Sequence, residues 1–379
     1  MTALRPLACA LAAQALLLPA ALACGGDYGA PPPPRDVDLV ICLDTSGSME
    51  GLIDAARKKL WDVCSLLGQA RPTPRLRVAL FQYGGDEGAE QGHVVRHTDL
   101  TTDLDTVYEK LGTLRAQGSD ERVGRVLHEA LHGLAWSPTP GALRVILVAG
   151  NESADQDREH PFRELAKQAL QRNAVVHAVY CARQGEEPGV LESWRELARW
   201  GGGELAPIAL DQAALQVETP HDAELIRLGA ALNATYIPYG ANGQAGQQRQ
   251  AKQDENAGSW GGSSSSAARA ACKAQSVYQN EGWDLVDASA QPGFEWSKVK
   301  KEDLPPGLRE LCSRTLPGHV AEVRAERQRI QARIRELTAL RQQAIDAELA
   351  RRQGEAARTL DQALLAAIKK QGQARGLTW

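Results

Sequence analysis

Short, unbroken apolar runs alternate with segments of helical periodicity through the first half of the chain. Val37 with Leu39 to Leu43, "LRVALFQYG" from Leu76, "LRVILVAGN" from Leu143 and "AVVHAVYCA" from Ala174 are each too short to span a membrane. Each suits a strand buried on both faces. Between them, Leu52, Ala55, Ala56 and Leu60, then Asp103 to Leu114, Glu121 to Leu134 and "FRELAKQALQRN" place apolar residues three and four apart, which predicts helices. "HVVRHTDLT" from His93 predicts one more strand, and "LESWRELARWGGGELAPIAL" a helix, a glycine stop and a final strand. From Asp36 to about Leu215 the pattern is therefore a β/α repeat. Its crossovers require a Rossmann-like, doubly wound, mostly parallel sheet with helices on both faces, and this α/β domain is assigned to 36–218.

The second half reads differently. Residues 219–318 form a helical and irregular extension, opened by Thr219 and Pro220 and by Leu225, Leu228 and Leu232 at helical spacing. Within it, 241–266 is rich in Gln, Gly and Ser and reads as a mobile loop. "WDLVDA" from Trp283 is apolar enough to dock back, with Trp283 as core. Residues 319–379 predict a long amphipathic helix to about Arg352, carrying Val320, Ile330, Ile334 and Leu337, and a shorter one around Leu360 and Ile368. Two partners compete for that stripe: the chain's own domain, in an antiparallel hairpin, or another chain in a coiled coil. Arg327 and Arg341 interrupt the heptad, which favours the former.

Charge changes this picture little. The 379 residues carry a net charge of −4, and twelve Lys and Arg against seven Asp and Glu from His319 onward make the tail basic. The basic residues lack the interleaved aromatics of a nucleic-acid surface, so no nucleic-acid partner is expected. The N-terminus adds more. Met1 to Ala23 has the layout of a signal peptide, with Arg5, an apolar stretch from Leu7 to Leu18 and "ALA" before Cys24. Export to the periplasm or cell envelope is expected, with 24–35 as a proline-rich linker and Cys24 as a candidate for lipidation and membrane attachment. Of the remaining cysteines, Cys42 and Cys181 fall in strands, and Cys272 with Cys312 is the one disulfide pairing to consider. Without a C-x-x-C spacing, a cysteine zinc site is not expected. Neither a Gly-x-Ser-x-Gly elbow nor a phosphate-binding Gly-rich loop is present, so no enzymatic function follows from those motifs.

The candidate chemistry sits where the first strand stops. "DTSGSM" sets Asp44, Ser46 and Ser48 at alternate positions around Gly47, directly ahead of a helix. A carboxylate with two hydroxyls suits a hard divalent ion such as magnesium, and the carboxyl edge of a parallel sheet is where such folds place ligands. This stretch resembles the metal-ion-dependent adhesion site of von Willebrand factor A domains, whose first motif is Asp-x-Ser-x-Ser. The resemblance implies a magnesium ion at Asp44, Ser46 and Ser48 that recognises an exposed acidic group on a protein partner. It also implies binding rather than catalysis. Two family positions depart: Glu121 stands where a Thr is usual, with Gly124 matching the Gly, and Val148-Ala149-Gly150 stands where Thr-Asp-Gly is usual. Asp120 or Glu121 is left to assist the ion. "GSDERVGRVLHEALHGLAWS", "ILVAGNESADQD" and "WDLVDA" further resemble a bacterial secreted subgroup with this domain, over Asp36 to Leu340. The lost ligands leave a metal-free scaffold, acting through the same loop face or the C-terminal helix, as an alternative.

"HEALH", His128 to His132, supplies a second alternative. Two imidazoles one helical turn apart, Glu129 between them and Glu152 further on fit a zinc peptidase. Val123, Leu127, Ala130, Leu131 and Leu134 already form the buried stripe of that helix, which leaves His128 and His132 on its flank.

Overall fold

The computed structural model describes residues 35–87, 92–182, 188–209, 216–311, 314–351 and 360–379. In chain order, β1 (Asp36–Asp44), α1 (Glu50–Gly68), β2 (Arg75–Tyr83), β3 (Val94–Thr101), α2 (Leu104–Thr113), α3 (Val123–Gly133), β4 (Leu143–Gly150), α4 (Phe162–Gln171), β5 (Ala174–Ala182), α5 (Pro188–Trp200) and β6 (Gly202–Ala209) build the α/β part. The sheet order is β3-β2-β1-β4-β5-β6, with every pair parallel except β2 with β3. All but the first residue of β1 are buried, because side chains of both parities meet a helix layer. Leu39, Ile41 and Leu43 face α1 and α2, while Val40 and Cys42 face α3, α4 and α5.

The C-terminal extension completes the first of those layers. α6 (Asp222–Asn233), α7 (Gly243–Lys273), the one-turn α8 (Leu285–Ala288), α9 (Leu316–Arg351) and α10 (Leu360–Gln373) follow. α1 buries 13 of its 19 residues, too many for a helix with one face on a sheet. Its outer side is covered by α7, and α10 packs against it as well. Trp61, Cys64 and Leu67 therefore share one core with Ala267, Ala268 and Cys272 of α7, Ile334 and Leu337 of α9, and Ile368 of α10. A separate small core gathers Ile237, Leu285, Val286, Leu304, Leu316 and Val320.

One expectation is corrected here. The segment 241–266 is not a loop but most of α7, broken only at Gly261 and Gly262, where φ and ψ leave the helical region. Small residues on both sides permit close packing: a Cβ at Gly246 of α7 would lie 2.2 Å from Cγ of Trp283, and Trp260 of α7 lies against Gly112 of α2 and 4.9 Å from the Tyr108 ring. Trp283 is core, as its sequence context predicts. The long helix α9 packs on α6, α7 and α8 of its own chain. The arginines that interrupt its heptad are buried and paired, Arg327 with Asp284 at 2.7 Å and Arg341 with Asp222 at 3.1 Å.

Buried charge fastens the layers. Arg269 of α7 donates to Asp105 of α2 at 2.5 Å and to Asp254 at 2.7 Å, and its guanidinium lies 4.3 Å from the Trp61 ring centroid. Tyr278 donates to the other Asp105 oxygen at 2.7 Å, and Lys273 bridges Asp254 and Asn233 at 2.7 Å each. Cys272 is a buried free thiol beside Cys64, and Cys312 lies outside the described residues. So do Met1 to Pro34, and with them the expected signal segment and Cys24. Among the described residues no helix is long and apolar enough to cross a membrane.

Candidate functional site

β1 lies between β2 and β4, so the chain leaves it toward opposite sides of the sheet, and a crevice opens at the carboxyl ends of β1 and β4. Asp44 ends β1 and Asn151 follows β4 directly. The turn after Asp44 is pinned by backbone bonds: Thr45 N–H donates to the Tyr83 carbonyl at 2.8 Å, Gln117 N–H to the Thr45 carbonyl at 2.7 Å and Gly47 N–H to the Gly118 carbonyl at 3.1 Å. Those last two bonds dock the segment before α3 onto the β1 loop. Gly84 holds a positive φ of 79°, and a Cβ there would lie 2.8 Å from Asp44 Oδ1 and 3.2 Å from Cγ of Glu121. The absent side chain is what lets both acids approach the β2 end.

Oxygen atoms without partners converge at this spot. Asp44 Oδ1 accepts from Ser46 N–H at 2.7 Å, whereas Asp44 Oδ2, Ser46 Oγ and Asn151 Oδ1 are buried with no hydrogen bond to satisfy them. Asn151 Nδ2 donates to Ser48 Oγ at 3.1 Å, and Glu121 Oε2 accepts from Glu152 N–H at 3.2 Å. Burial, and after it the neighbouring Asp44 charge, push the Glu121 carboxyl up to about 9. Asp44 is raised too, chiefly by burial, with the Glu121 carboxyl and Ser46 opposing. The Ser46 hydroxyl is near enough to act on both acids, although it meets the geometry of a hydrogen bond with neither. Tyr83 closes the floor, its hydroxyl donating to the Ala149 carbonyl at 2.9 Å.

Of the residues marked in the sequence, Asp44, Ser46, Ser48 and Glu121 are brought together and Asp120 is not. Asp120 is exposed on the rim, 3.1 Å from His93 Nε2. Asn151 is the residue that sequence reasoning left out of the ligand set. Its signal was present, as the first polar residue after a buried strand adjacent to β1.

The peptidase constellation does not assemble. His128 and His132 stack with ring centroids 4.6 Å apart on the flank of α3, and the ring that joins them is His160, 4.8 Å from His128. Glu152 instead lies in the loop after β4, with its N–H on Glu121 and its Oε2 accepting from Gln156 at 3.2 Å. Among the described residues no three His, Cys, Asp or Glu side chains stand in metal-holding geometry.

A doubly wound sheet with one antiparallel edge strand and a group of side-chain oxygens beyond the central strand defines a class of α/β domain. Residues 38–193 match the family model of the von Willebrand factor type A domain, and the sheet with its flanking helices has that fold. Solved structures are similar at the level of fold. Proximal thread matrix protein 1 of the mussel byssus, solved with a zinc-occupied MIDAS motif, is 11% identical over 47% of this chain and 43% of its own, with a TM-score of 0.37. The SpRpn10 VWA domain is 15% identical over 45% of this chain and 87% of its own, at 0.35. An aerotolerance-related membrane protein of Bacteroides fragilis is 17% identical over 45% of this chain and 91% of its own, at 0.32. The match thus spans less than half of the mussel protein. No curated protein sequence matches this chain.

Proposed function

We propose that this is an exported protein that binds another protein through the loop face at the carboxyl edge of the sheet, using a divalent cation held by Asp44, Ser46 and Ser48 with Glu121 and Asn151. The observation that supports this most is the set of buried oxygens without partners, Asp44 Oδ2, Ser46 Oγ and Asn151 Oδ1, beside a carboxyl forced toward its neutral form. Unsatisfied buried oxygens are costly, and a cation would satisfy all three while ionising Glu121. The donor set is all oxygen, which fits magnesium or calcium better than zinc. A bound cation would supply positive charge at the face, so that an acidic group of the partner protein is the group recognised. The layout of Met1 to Ala23 supports export, with Cys24 available for lipid. The function is binding, without a catalytic step.

One observation favours a metal-free variant of the same reading. With Glu121 raised to about 9, a single proton can hold the two acids together at neutral pH, and the loop face then recognises its partner by shape and hydrogen bonding. Titrating the metal-stripped chain with magnesium and with calcium, alongside Asp44→Ala, separates the two. Saturable binding lost in Asp44→Ala, together with partner capture that a chelator abolishes, supports the cation. Capture that ignores chelator in a chain with no measurable affinity for either ion selects the metal-free scaffold.

A further inference from the structure

The amino edge of the sheet, at the far end of the strands from Asp44, collects arginines that the proposed function does not use. Asp36 of β1 lies level with Arg75 of β2, Val37 with Leu143 of β4, and Arg144 with Ala174 of β5, so the starts of four adjacent strands share this edge. Arg35, Arg144, Arg172 and Arg375 gather there. Arg144 donates to the carbonyls of Arg172 and Ser137 at 2.6 Å and 2.7 Å, Arg172 to that of Leu131 at 3.4 Å, and Arg375 to those of Ala142 and Asn173 at 2.8 Å and 3.4 Å. Arg35 lies against Gly141 and Gly376. Among the described residues none of these four arginines has a carboxylate within ion-pair distance. Asp38 is already taken by Arg77 at 2.8 Å, and Asp36 accepts from the hydroxyls of Ser137 and Thr139.

The positive charge is thus left without an anion. Burial, and after it the neighbouring Arg144, lower Arg375 below the ordinary arginine value, as expected of guanidiniums that repel one another. Arg144 Nε is buried with no hydrogen-bond partner. A cleft of about 370 Å³ opens here, lined by Leu131, Trp136, Ser137, Arg144, Arg172 and Asn173. Leu170 and Trp200, two exposed large apolar side chains, stand at the same edge. Leu170, in the last turn of α4, lies against Gly202 at the start of β6, and the Trp200 ring has Lys167 Nζ at 4.4 Å and the Arg199 guanidinium at 4.8 Å. Guanidiniums beside an amphipathic ring suit the phosphate level of a lipid surface. The opposite edge carries Asp44, Asp120, Glu121 and Glu152, so the net charge of −4 conceals a molecule with one positive and one negative end.

We propose that the amino edge of the sheet, through Arg35, Arg144, Arg172 and Arg375 with Trp200, docks on a membrane surface by binding the phosphate groups of anionic phospholipids. The choice of a membrane as occupant rests on the proposed attachment through Cys24. Arg35 follows Cys24 by eleven residues, and that length of chain spans at most about 40 Å. The tether therefore leaves from the edge that carries the arginines. Charge sets the orientation, because lipid phosphates draw in the positive edge and repel the acids around Asp44. The loop face is held away from the lipid and stays open to a protein partner.

The test is co-sedimentation of the chain from residue 25 onward, which carries neither the expected signal segment nor lipid, with vesicles of phosphatidylcholine alone and of phosphatidylcholine with phosphatidylglycerol. Binding to the anionic vesicles only, weakening as salt is raised, is expected. Reversing two exposed charges together, Arg35→Glu with Arg172→Glu, should lower the partition at least about tenfold, and Trp200→Ala should lower it less. The same change of charge away from this edge, Arg227→Glu on α6 with Arg329→Glu on α9, should lower it no more than about twofold. Thermal melts of each variant confirm that the fold is retained. Equal binding to the two kinds of vesicle, or equal loss in the two double variants, overturns the proposal. So does saturable binding of inorganic phosphate without selectivity for anionic vesicles, which would assign the arginines to a soluble anion. A chain that binds anionic vesicles yet remains in the cytoplasm on cell fractionation would refute the proposed export while supporting the docking.

Discussion

Asp44 and Glu121 are two acids removed from water at one point, and the consequence appears in how stability follows pH. Glu121 keeps its proton in the folded chain up to about 9, while the unfolded chain releases it near the ordinary 4.5. Across that window the folded state binds more protons, so stability falls as pH rises. In Glu121→Gln, urea midpoints at about pH 5 and about pH 8 should come closer together than in wild type, and magnesium should no longer raise the upper one. His177 acts with the opposite sign. Burial lowers it from 6.5 to about 4, and its Nδ1 already accepts from Glu204 N–H at 3.0 Å, which leaves no room for a second proton. A depressed histidine contributes stability that is complete above 6.5 and is lost as pH falls toward 4. His177→Asn should flatten that acid limb, whose full size is at most about 3 kcal/mol. A limb of unchanged steepness in the variant would assign it to other groups. At this scale Asp44, Ser46 and Ser48 were legible because they follow a strand in a fixed motif. Glu121 and Asp120 could not be told apart, since their different fates depend on bonds from Gln117 and Gly118 to a loop some seventy residues earlier.

Helix α7 carries the clearest lesson at the scale of elements. Its Gln, Gly, Ser and Ala content has little intrinsic drive to be helical and resembles that of a linker. The same small side chains let it approach α1 and the ring of Trp283 closely, so tertiary burial decides what propensity leaves open. No local pattern announces this, because the partners lie far away in the chain. The strands β1, β4 and β5 were legible for the converse reason: burial on both faces leaves its mark within each run of residues. The long helix was legible in extent, and its buried arginines correctly argued for packing on its own chain. Arg269 is the strongest fastening of α7. Arg269→Ala leaves Asp105 buried without its cation, while Asp254 keeps Lys273, and a loss of about 3–5 kcal/mol in urea unfolding is expected. A loss below about 1 kcal/mol would show that water enters and rescues the acid.

For the whole molecule, the α/β part is not free-standing. Residues 35–218 produced alone would present Trp61, Cys64 and Leu67 to water, since α7 and α10 cover that side of α1. Such a fragment should self-associate on size-exclusion chromatography and lack a cooperative thermal transition. A monomer that unfolds sharply would show that the extension is dispensable for folding. The boundary assigned at 218 therefore marks a change in sequence pattern and does not mark an independent unit. Arg71 and Thr378 pair as a short antiparallel bridge, Trp379 donates to the Leu66 carbonyl at 3.1 Å, and Arg35 lies beside Gly376. The first and last described residues thus meet at the edge of the sheet opposite Asp44. A short peptide joining 379 to 35 closes the folded body into a ring, so circular permutants opened elsewhere keep the loop face intact. Surfaces or reporters coupled at that seam leave the crevice pointing outward.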